Sequence, residues 1–340
     1  MAAACGPGQT PCSYRDGFTV NVKSHVPPAP FGGRDYGSGP RAAVSQHDLR
    51  SLKPTELVMA NPPLETADPP SPHIQTLSVD CELAVIDGRG AQVVLYTIKP
   101  MDLTGDGFQA VAKIYDPLYY SFSHKDVPSV PYDVTRFADE DYSREATAYE
   151  HLQAVGQARH FTPKYFGSYT FTANLQIGKK TPPQSRPVHL ILIEYVPGKS
   201  IRDLYTGPAP VAATFDEVYR LEVLARIIDG KAKLRFKGLD QQDLAAPNPS
   251  SIPRVVLIDY SISVIYVKTM RKIGPYNGTT LPPNPMRIHW NNSLQEFSGW
   301  IPAMWETSPR PRQEWLKKRF GGKNLSRYAP IKKELEFSEY

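Results

Sequence analysis

Proline places the strongest constraint on how this chain folds. The sequence has 34 prolines among 340 residues, about twice the usual frequency, and twelve of them fall within residues 1–73. Proline lacks a backbone N–H and fixes one backbone torsion, so it interrupts helices and sheet ladders. We therefore predict a disordered, proline-rich arm over residues 1–73, with the alternative that this segment packs back on the folded body.

Beyond the arm, hydrophobic patterns predict strands first and helices later. Segments rich in Val, Ile and Thr predict strands at 74–86, 93–98, 109–115, 165–175, 189–196 and 254–259. Apolar residues spaced by three and four predict helices over 142–155 and 215–228, with the acidic stretch 136–142 as a plain loop before the first. This order predicts an α+β fold with two unequal lobes.

Two charged residues stand on the expected inner faces of these elements. Lys113 shares a strand face with Val111 and Tyr115, where burial of an ammonium group is costly unless an anion meets it. Glu145 lies at the shoulder of the apolar helix face, because it precedes Tyr149 by four residues. The two side chains can therefore pair. The alternatives are a surface lysine on an open sheet face and a solvated helix carboxylate.

Three further polar residues follow the second helix. Asp243 and Asn248 suit a loop in which the aspartate accepts a proton and the asparagine carbonyl coordinates magnesium. Asp259 ends a short apolar strand and puts a carboxylate at its rim, where metals bind. Asp, Pro and Asn also favour turns, so a plain turn at Asp243–Asn248 and an Asx turn at Asp259 are the alternatives.

The order of these residues resembles that of the protein kinase-like superfamily. Protein kinases carry a strand lysine, a helix glutamate, an aspartate with a following asparagine, and a second aspartate after a hydrophobic strand. The matching residues, in chain order, are Lys113, Glu145, Asp243, Asn248 and Asp259. The segment 189–198 resembles the strand that leads into the kinase hinge, and the resemblance covers about 74–330.

The resemblance implies a two-lobed protein kinase-like fold. The small lobe, mainly antiparallel β with one key helix, would occupy 74–198 with the hinge, and the larger, mainly helical lobe would occupy 199–340. Phrases at 112–120, 142–152 and 299–305 resemble divergent, largely uncharacterised fungal protein kinase-like proteins.

The expected cofactors, by the same resemblance, are ATP and Mg²⁺. Lys113, oriented by Glu145, would hold the α- and β-phosphates, and backbone groups from Glu194 to Val196 would bind adenine. The expected activity is transfer of the γ-phosphoryl group to a hydroxyl of a protein or a small molecule.

The metal and proton-transfer roles fall to residues later in the chain. Asn248 and Asp259 would bind magnesium, and Asp243 would orient the attacking hydroxyl. The alternative function is a pseudokinase that binds a nucleotide or serves as a scaffold.

Several kinase motifs are altered. The segment 87–92 has two glycines in place of a glycine-rich loop, and a hairpin turn is the alternative there. Gln241 and Gln242 replace the His-Arg that precedes the catalytic aspartate, and Asp259 is followed by Tyr-Ser where kinases have Phe-Gly. No Ala-Pro-Glu follows, which favours an acceptor other than that of a conventional serine/threonine kinase.

Charge and cysteine content set further expectations. The net charge of +5 is mild, and we expect the basic segment 310–333 to be a solvated face rather than a nucleic-acid site. Three scattered cysteines favour a reducing compartment, either cytoplasm or nucleus. No apolar run approaches 18 residues, so we expect no membrane span, and the sequence does not indicate an oligomeric state.

Overall fold

The fold is described from a computed structural model, which covers most of the chain in two compact units. The first unit comprises the described residues up to Thr147 together with Tyr165–Tyr195, and the second comprises those of Ala148–Lys164 and from Val196 onward. The described residues are 14–67, 69–86, 88, 90–98, 107–124, 126–157, 160–175, 182–206, 214–241, 255–276, 278–331 and 335–337.

Six antiparallel strands of the first unit close into a barrel. The strands are β1 (Thr19–Ser24), β2 (Ile74–Ala84), β3 (Gln92–Ile98), β4 (Phe108–Tyr115), β5 (Tyr165–Leu175) and β6 (Gln184–Glu194). Neighbours are paired in the order β1-β2-β3-β4-β6-β5, and β1 completes the ring because it pairs with both β2 and β5.

The barrel interior is an apolar core. Side chains alternate between the two faces of each strand, so Ala110, Ala112 and Ile114 of β4 join the core while Lys113 lies on the other face. Leu190 and Leu192 of β6 fill the same interior and are fully buried. The strands form where the sequence is richest in β-branched and aromatic residues, which pack well on a pleated surface.

Short helices of the N-terminal segment pack on the long helix of the first unit. Leu57 and Val58 of the third short helix form a second core with Val134, Ala138 and Tyr120. The helices are α1 (Gly33–Tyr36), α2 (Gln46–Ser51), α3 (Pro54–Ala60) and α4 (Val134–Ala154).

A buried ion pair holds the start of the described chain to the barrel. Asp116 is fully buried, and its Oδ2 accepts hydrogen bonds from the Arg186 guanidinium at 2.6 Å and from the Tyr14 hydroxyl at 2.5 Å. Burial and the charge of Asp116 raise the pKa of Tyr14 well above its usual value, so the phenol stays a neutral donor.

The second unit is built around one long helix. Its elements are α5 (Ile201–Thr206), α6 (Glu217–Phe236), β7 (Leu239–Asp240), β8 (Val264–Ile265), α7 (Pro285–His289), α8 (Met304–Thr307) and α9 (Pro309–Phe320). Asp216 caps α6 by accepting a hydrogen bond from the Val218 N–H. Trp300 is buried against α6, where its indole N–H donates to the Arg220 carbonyl at 3.0 Å.

The predicted two-lobed protein kinase-like fold, with a disordered arm and a large helical lobe, is wrong. The described part of the arm supplies β1 and three helices, and β1 closes a six-stranded barrel. In the described part of the second unit, α6 and α9 are the only helices longer than eight residues, too few for a large helical lobe. The alternative, an N-terminal segment packed on the body, is what the structure shows for residues 14–67.

The predicted strand at 254–259 also differs from the structure. Val255, Val256 and Leu257 are buried, but they have no regular secondary structure. Among the described residues, no helix has the length and apolar character needed to cross a membrane.

The Asp116→Asn substitution tests the buried ion pair. The change keeps the side-chain shape but leaves the Arg186 charge buried without its counter-ion, so we expect the free energy of unfolding to fall by about 3–5 kcal/mol. Urea denaturation followed by circular dichroism measures it. Asp126→Asn, at an exposed aspartate, is the matched control and should change stability by less than about 0.5 kcal/mol. Equal stability of the two variants would contradict the role given to the pair.

Candidate functional site

Lys113 and Glu145 form a buried ion pair in the first unit. Lys113 lies in β4 and Glu145 in α4, and Nζ lies 2.5 Å from Oε2. The pair forms because the alternation that turns Ala112 and Ile114 into the barrel turns Lys113 toward the helix. The Glu145 side chain is fully buried, whereas the Lys113 side chain keeps 12% of its surface exposed. The ammonium group is thus held by a buried carboxylate while part of the lysine stays accessible.

Tyr115 is a second donor to the same carboxylate. Its hydroxyl donates to Glu145 Oε2 at 2.8 Å. Burial, and then the negative charge of Glu145, raise the pKa of Tyr115 well above its usual value, so the phenol stays protonated. The sequence places Tyr115 on the same strand face as Lys113 but does not predict this hydrogen bond. The two-residue spacing of Lys113 and Tyr115 indicates that both side chains can reach the same carboxylate.

Asp141 is a half-buried carboxylate one helical turn before Glu145. The Tyr120 hydroxyl donates to it at 3.2 Å. Burial raises the pKa of Asp141 to about 7, although the charge of Arg144 acts to lower it. Sequence reasoning missed Asp141 because it placed this residue in an acidic loop, whereas the residue lies inside α4.

In the second unit, Asp259 has an unusual backbone conformation. Its φ of 66° lies in the left-handed region, which few non-glycine residues adopt. Ser261 donates from its hydroxyl to Asp259 Oδ1 at 3.1 Å. Gln241 is buried and donates from Nε2 to the Ile258 carbonyl at 2.7 Å, which fixes the residue before Asp259. Such conformations cluster at functional sites, where surrounding contacts hold them in place.

The glycine turn between β2 and β3 is a hairpin held by a side chain. Gln92 is fully buried, and its Nε2 donates to the carbonyls of Ile86 at 3.1 Å and Gly90 at 2.8 Å. Since β2 and β3 are adjacent antiparallel strands, the connection has the geometry of the hairpin alternative. Gly88 and Gly90 have positive φ angles of 74° and 95°, which glycine adopts without strain.

The remaining predicted site residues are placed as follows. Glu194 is the half-buried last residue of β6, and Val196 follows it in a stretch without regular structure. Asp243 and Asn248 lie outside the described residues. Lys113, Glu145 and Glu194 belong to the first unit, and Val196 and Asp259 to the second. The nucleotide, metal and catalytic roles of all these residues stay predictions.

Asp141 gives the first unit a specific pH dependence. The carboxyl holds its proton up to about pH 7 in the folded chain, whereas its ordinary pKa is 3.8. Unfolding therefore releases a proton between these values, and stability falls as the pH rises through that window. We expect the thermal unfolding midpoint of the wild-type chain to fall more between pH 5 and pH 8 than that of Asp141→Asn, whose amide does not titrate. Parallel pH profiles of the two proteins would refute this assignment.

Comparisons with known proteins find structural neighbours, among them a viral kinase, but no relative by sequence. No family model matches the sequence, and no curated protein is significantly similar to it. The chain is similar to the solved structure of the Cydia pomonella granulovirus kinase PK-1, with 14% sequence identity and a TM-score of 0.34. The match covers 54% of this chain and 54% of the viral kinase, so it spans about half the length of each.

Proposed function

We propose that this chain binds ATP with magnesium and transfers the γ-phosphoryl group to a hydroxyl of a protein or a small molecule. The buried pair of Lys113 and Glu145 is the observation that carries the proposal. Burying an ion pair seldom gives more stability than apolar side chains of similar volume, because desolvation offsets the Coulomb attraction. Asp116 and Arg186 form a buried pair that serves the fold, so what suits the Lys113 pair to a ligand is the 12% of the Lys113 side chain that stays exposed.

Lys113 is suited to hold the phosphates of a nucleotide. Glu145 and its second donor Tyr115 restrict where the ammonium group lies, and the accessible part of Lys113 leaves room for a ligand. Charge-assisted hydrogen bonds to phosphate oxygens are stronger than neutral ones. Phosphoryl transfer depends mainly on such positioning and on neutralisation of charge, so a fixed cation is the main contribution a protein makes at this point.

The metal and proton-transfer groups are proposed from the order of residues. Asp259 and Asn248 would supply the oxygen ligands that magnesium prefers, and Asp243 would orient the acceptor hydroxyl. The left-handed backbone of Asp259, next to the residue that Gln241 fixes, supports a carboxylate held in one orientation. Gln241 replaces the histidine of the kinase motif and still supplies a hydrogen bond to the backbone.

One observation favours the alternative of a pseudokinase that binds a nucleotide or acts as a scaffold. Gln92 bridges the carbonyls on both sides of the glycine turn, so this turn is a tied hairpin rather than an open loop. A glycine-rich loop binds phosphates through backbone N–H groups, and here the Gly90 N–H already donates to the Tyr119 carbonyl at 3.4 Å. Nucleotide binding without transfer is the outcome that would favour this alternative.

Lys113→Met tests nucleotide binding directly. Methionine keeps the apolar stem of the side chain but removes the charge. We therefore expect ATP affinity in the presence of Mg²⁺ to fall roughly tenfold to a hundredfold, which is the loss expected when one charge-assisted hydrogen bond is removed. Isothermal titration calorimetry on the full chain measures it. Lys318→Met, at an exposed lysine of α9, is the control and should bind as the wild-type chain does. Equal affinity in all three proteins would remove Lys113 from the site.

Asp259→Asn separates binding from transfer. We expect the variant to keep its unfolding temperature but to lose most Mg²⁺-dependent ATP turnover, because an amide is a weaker magnesium ligand than a carboxylate. Release of phosphate from ATP, with and without Mg²⁺, is the measurement, and Asp203→Asn at an exposed aspartate of α5 is the control. Turnover that survives in Asp259→Asn would argue against the proposed metal role.

A further inference from the structure

Two histidines and one glutamate, none of them a residue of the Lys113–Glu145 pair, meet on the first unit. His25 follows β1, Glu65 lies between α3 and β2, and His189 is in β6. His25 Nε2 lies 3.7 Å from Glu65 Oε2, and His189 Nε2 lies 3.8 Å from Glu65 Oε1. Among the residues the structure describes, these three form the one group of histidine, cysteine or acidic side chains whose ligand atoms all lie within 4.8 Å of one another.

The His189 ring is buried, with 1% of the residue exposed. Among the residues that the structure describes, neither ring nitrogen has a hydrogen-bond partner. Its ring stacks on His25, with ring centres 4.3 Å apart, and on Tyr142, with ring centres 4.6 Å apart. Leaving a buried polar group without a hydrogen bond is costly, so an imidazole in this state needs a reason. Its Nε2 faces the Glu65 carboxylate, where a ligand would supply the missing interaction.

The other two side chains are held in place by neighbours. His25 Nδ1 is hydrogen-bonded to the Tyr142 hydroxyl at 2.6 Å, and Nε2 is thereby directed toward Glu65. Metal-binding histidines commonly use their second nitrogen in this way. Thr66, whose hydroxyl also lies 3.4 Å from His25 Nε2, donates to the Val26 carbonyl and so fixes the residue after Glu65.

The residue before Glu65 is fixed as well. The Leu64 N–H donates to the Asp139 carboxylate at 3.2 Å, and Arg41 pairs with the same carboxylate. Glu65 therefore projects from a segment anchored on both sides. Its side chain is 55% exposed, so an ion can enter from solvent.

We propose that His25 Nε2, the Glu65 carboxylate and His189 Nε2 bind one divalent transition-metal ion, with Zn²⁺ as the ion to test. Two neutral imidazoles and a carboxylate are a ligand set that zinc accepts, whereas Mg²⁺ prefers oxygen ligands alone. In a tetrahedral site with bonds of about 2.0–2.2 Å, ligand atoms lie roughly 3.3–3.6 Å apart. The observed 3.7 and 3.8 Å run to the two different oxygens of Glu65, and all the ligand atoms lie within 4.8 Å of one another. Binding therefore draws the side chains together by up to about 1 Å.

Binding requires one adjustment of the rings. The imidazoles of His25 and His189 are inclined by only 21°, so both must turn about their terminal torsions for the lone pairs to converge. This torsion is broad for histidine, which makes the turn accessible. Water completes the coordination on the exposed side. The bound ion links the end of β1, the segment before β2 and β6, so it stabilises the N-terminal segment on the barrel.

The Glu65→Gln variant tests the site. Zn²⁺ is titrated calorimetrically into the full chain, into Glu65→Gln and into Glu82→Gln, a control at an exposed glutamate of β2. We expect the wild-type chain and Glu82→Gln to bind one Zn²⁺ equivalent that Glu65→Gln binds roughly tenfold or more weakly. Zn²⁺ should raise the unfolding temperature of the first two proteins but not of Glu65→Gln, while the three metal-free proteins unfold alike.

Two controls make the result specific. The three cysteines are present in every protein, so zinc bound by thiols contributes equally and cancels in the comparison. Mg²⁺ at the same concentration should not displace Zn²⁺, which keeps this site distinct from any Mg·ATP binding. Equal Zn²⁺ affinity in Glu65→Gln and the wild-type chain, or no Zn²⁺ binding at all, would overturn the proposal.

Discussion

The backbone pairing of β1 with β2 and β5 is the constraint on which the first unit depends. It converts a five-stranded sheet with two free edges into a closed barrel, and free edges readily pair with other chains. β1 suits this position because its side chains alternate, with Val22 buried in the core and Thr19 and Asn21 exposed. The residues that follow β1 include His25 and Arg41, whose partners Tyr142 and Asp139 lie in α4.

Helix α4 carries several of the polar contacts that this closure makes possible. Between Asp139 and Glu145 its carboxylates meet Arg41 from the N-terminal segment and Lys113 from the barrel. Tyr142, in the same stretch, contacts both histidines of the proposed metal site. The interior of the barrel is apolar, whereas its contact with α4 combines aromatic packing by Tyr142 with the ion pair of Lys113 and Glu145. Hydrogen-bonded charges are directional, so this contact fixes the orientation of the helix more than an apolar contact would.

The sequence predicts most barrel strands, although β6 begins at Gln184 rather than at 189, but it misses β1, which depends on a distant partner. The predicted strands at 74–86, 93–98, 109–115 and 165–175 are confirmed to within two residues. Their local composition is sufficient because each buries an apolar face. β1 is missed because six residues of weak alternation lie among prolines, and its stabilising partner β2 begins fifty residues after β1 ends.

The start of α4 also depends on a distant partner that local sequence patterns do not reveal. The sequence predicts the helix from Tyr142, but it begins at Val134, because the charged residues between them look solvated. In the structure Asp139 is buried beside Arg41, a partner 98 residues away that no local pattern reveals. Lys113 and Glu145 could be singled out because a charge on an apolar face is visible in the sequence. His189 could not be singled out, because the sequence does not show that its ring is buried without hydrogen bonds to the described residues.

Closure by β1 also determines which shortened versions of the chain are informative. Removing a proline-rich N-terminus is a routine step when a protein is prepared for crystallisation or assay. Here, removing all residues up to Ser24 would take away strand β1. It would expose Leu77 and Tyr169, which lie in the core beside β1. Such a protein would tend to self-associate through its open edges. If the truncated protein failed to bind a ligand, the cause would be the missing strand and not the chemistry of the remaining residues.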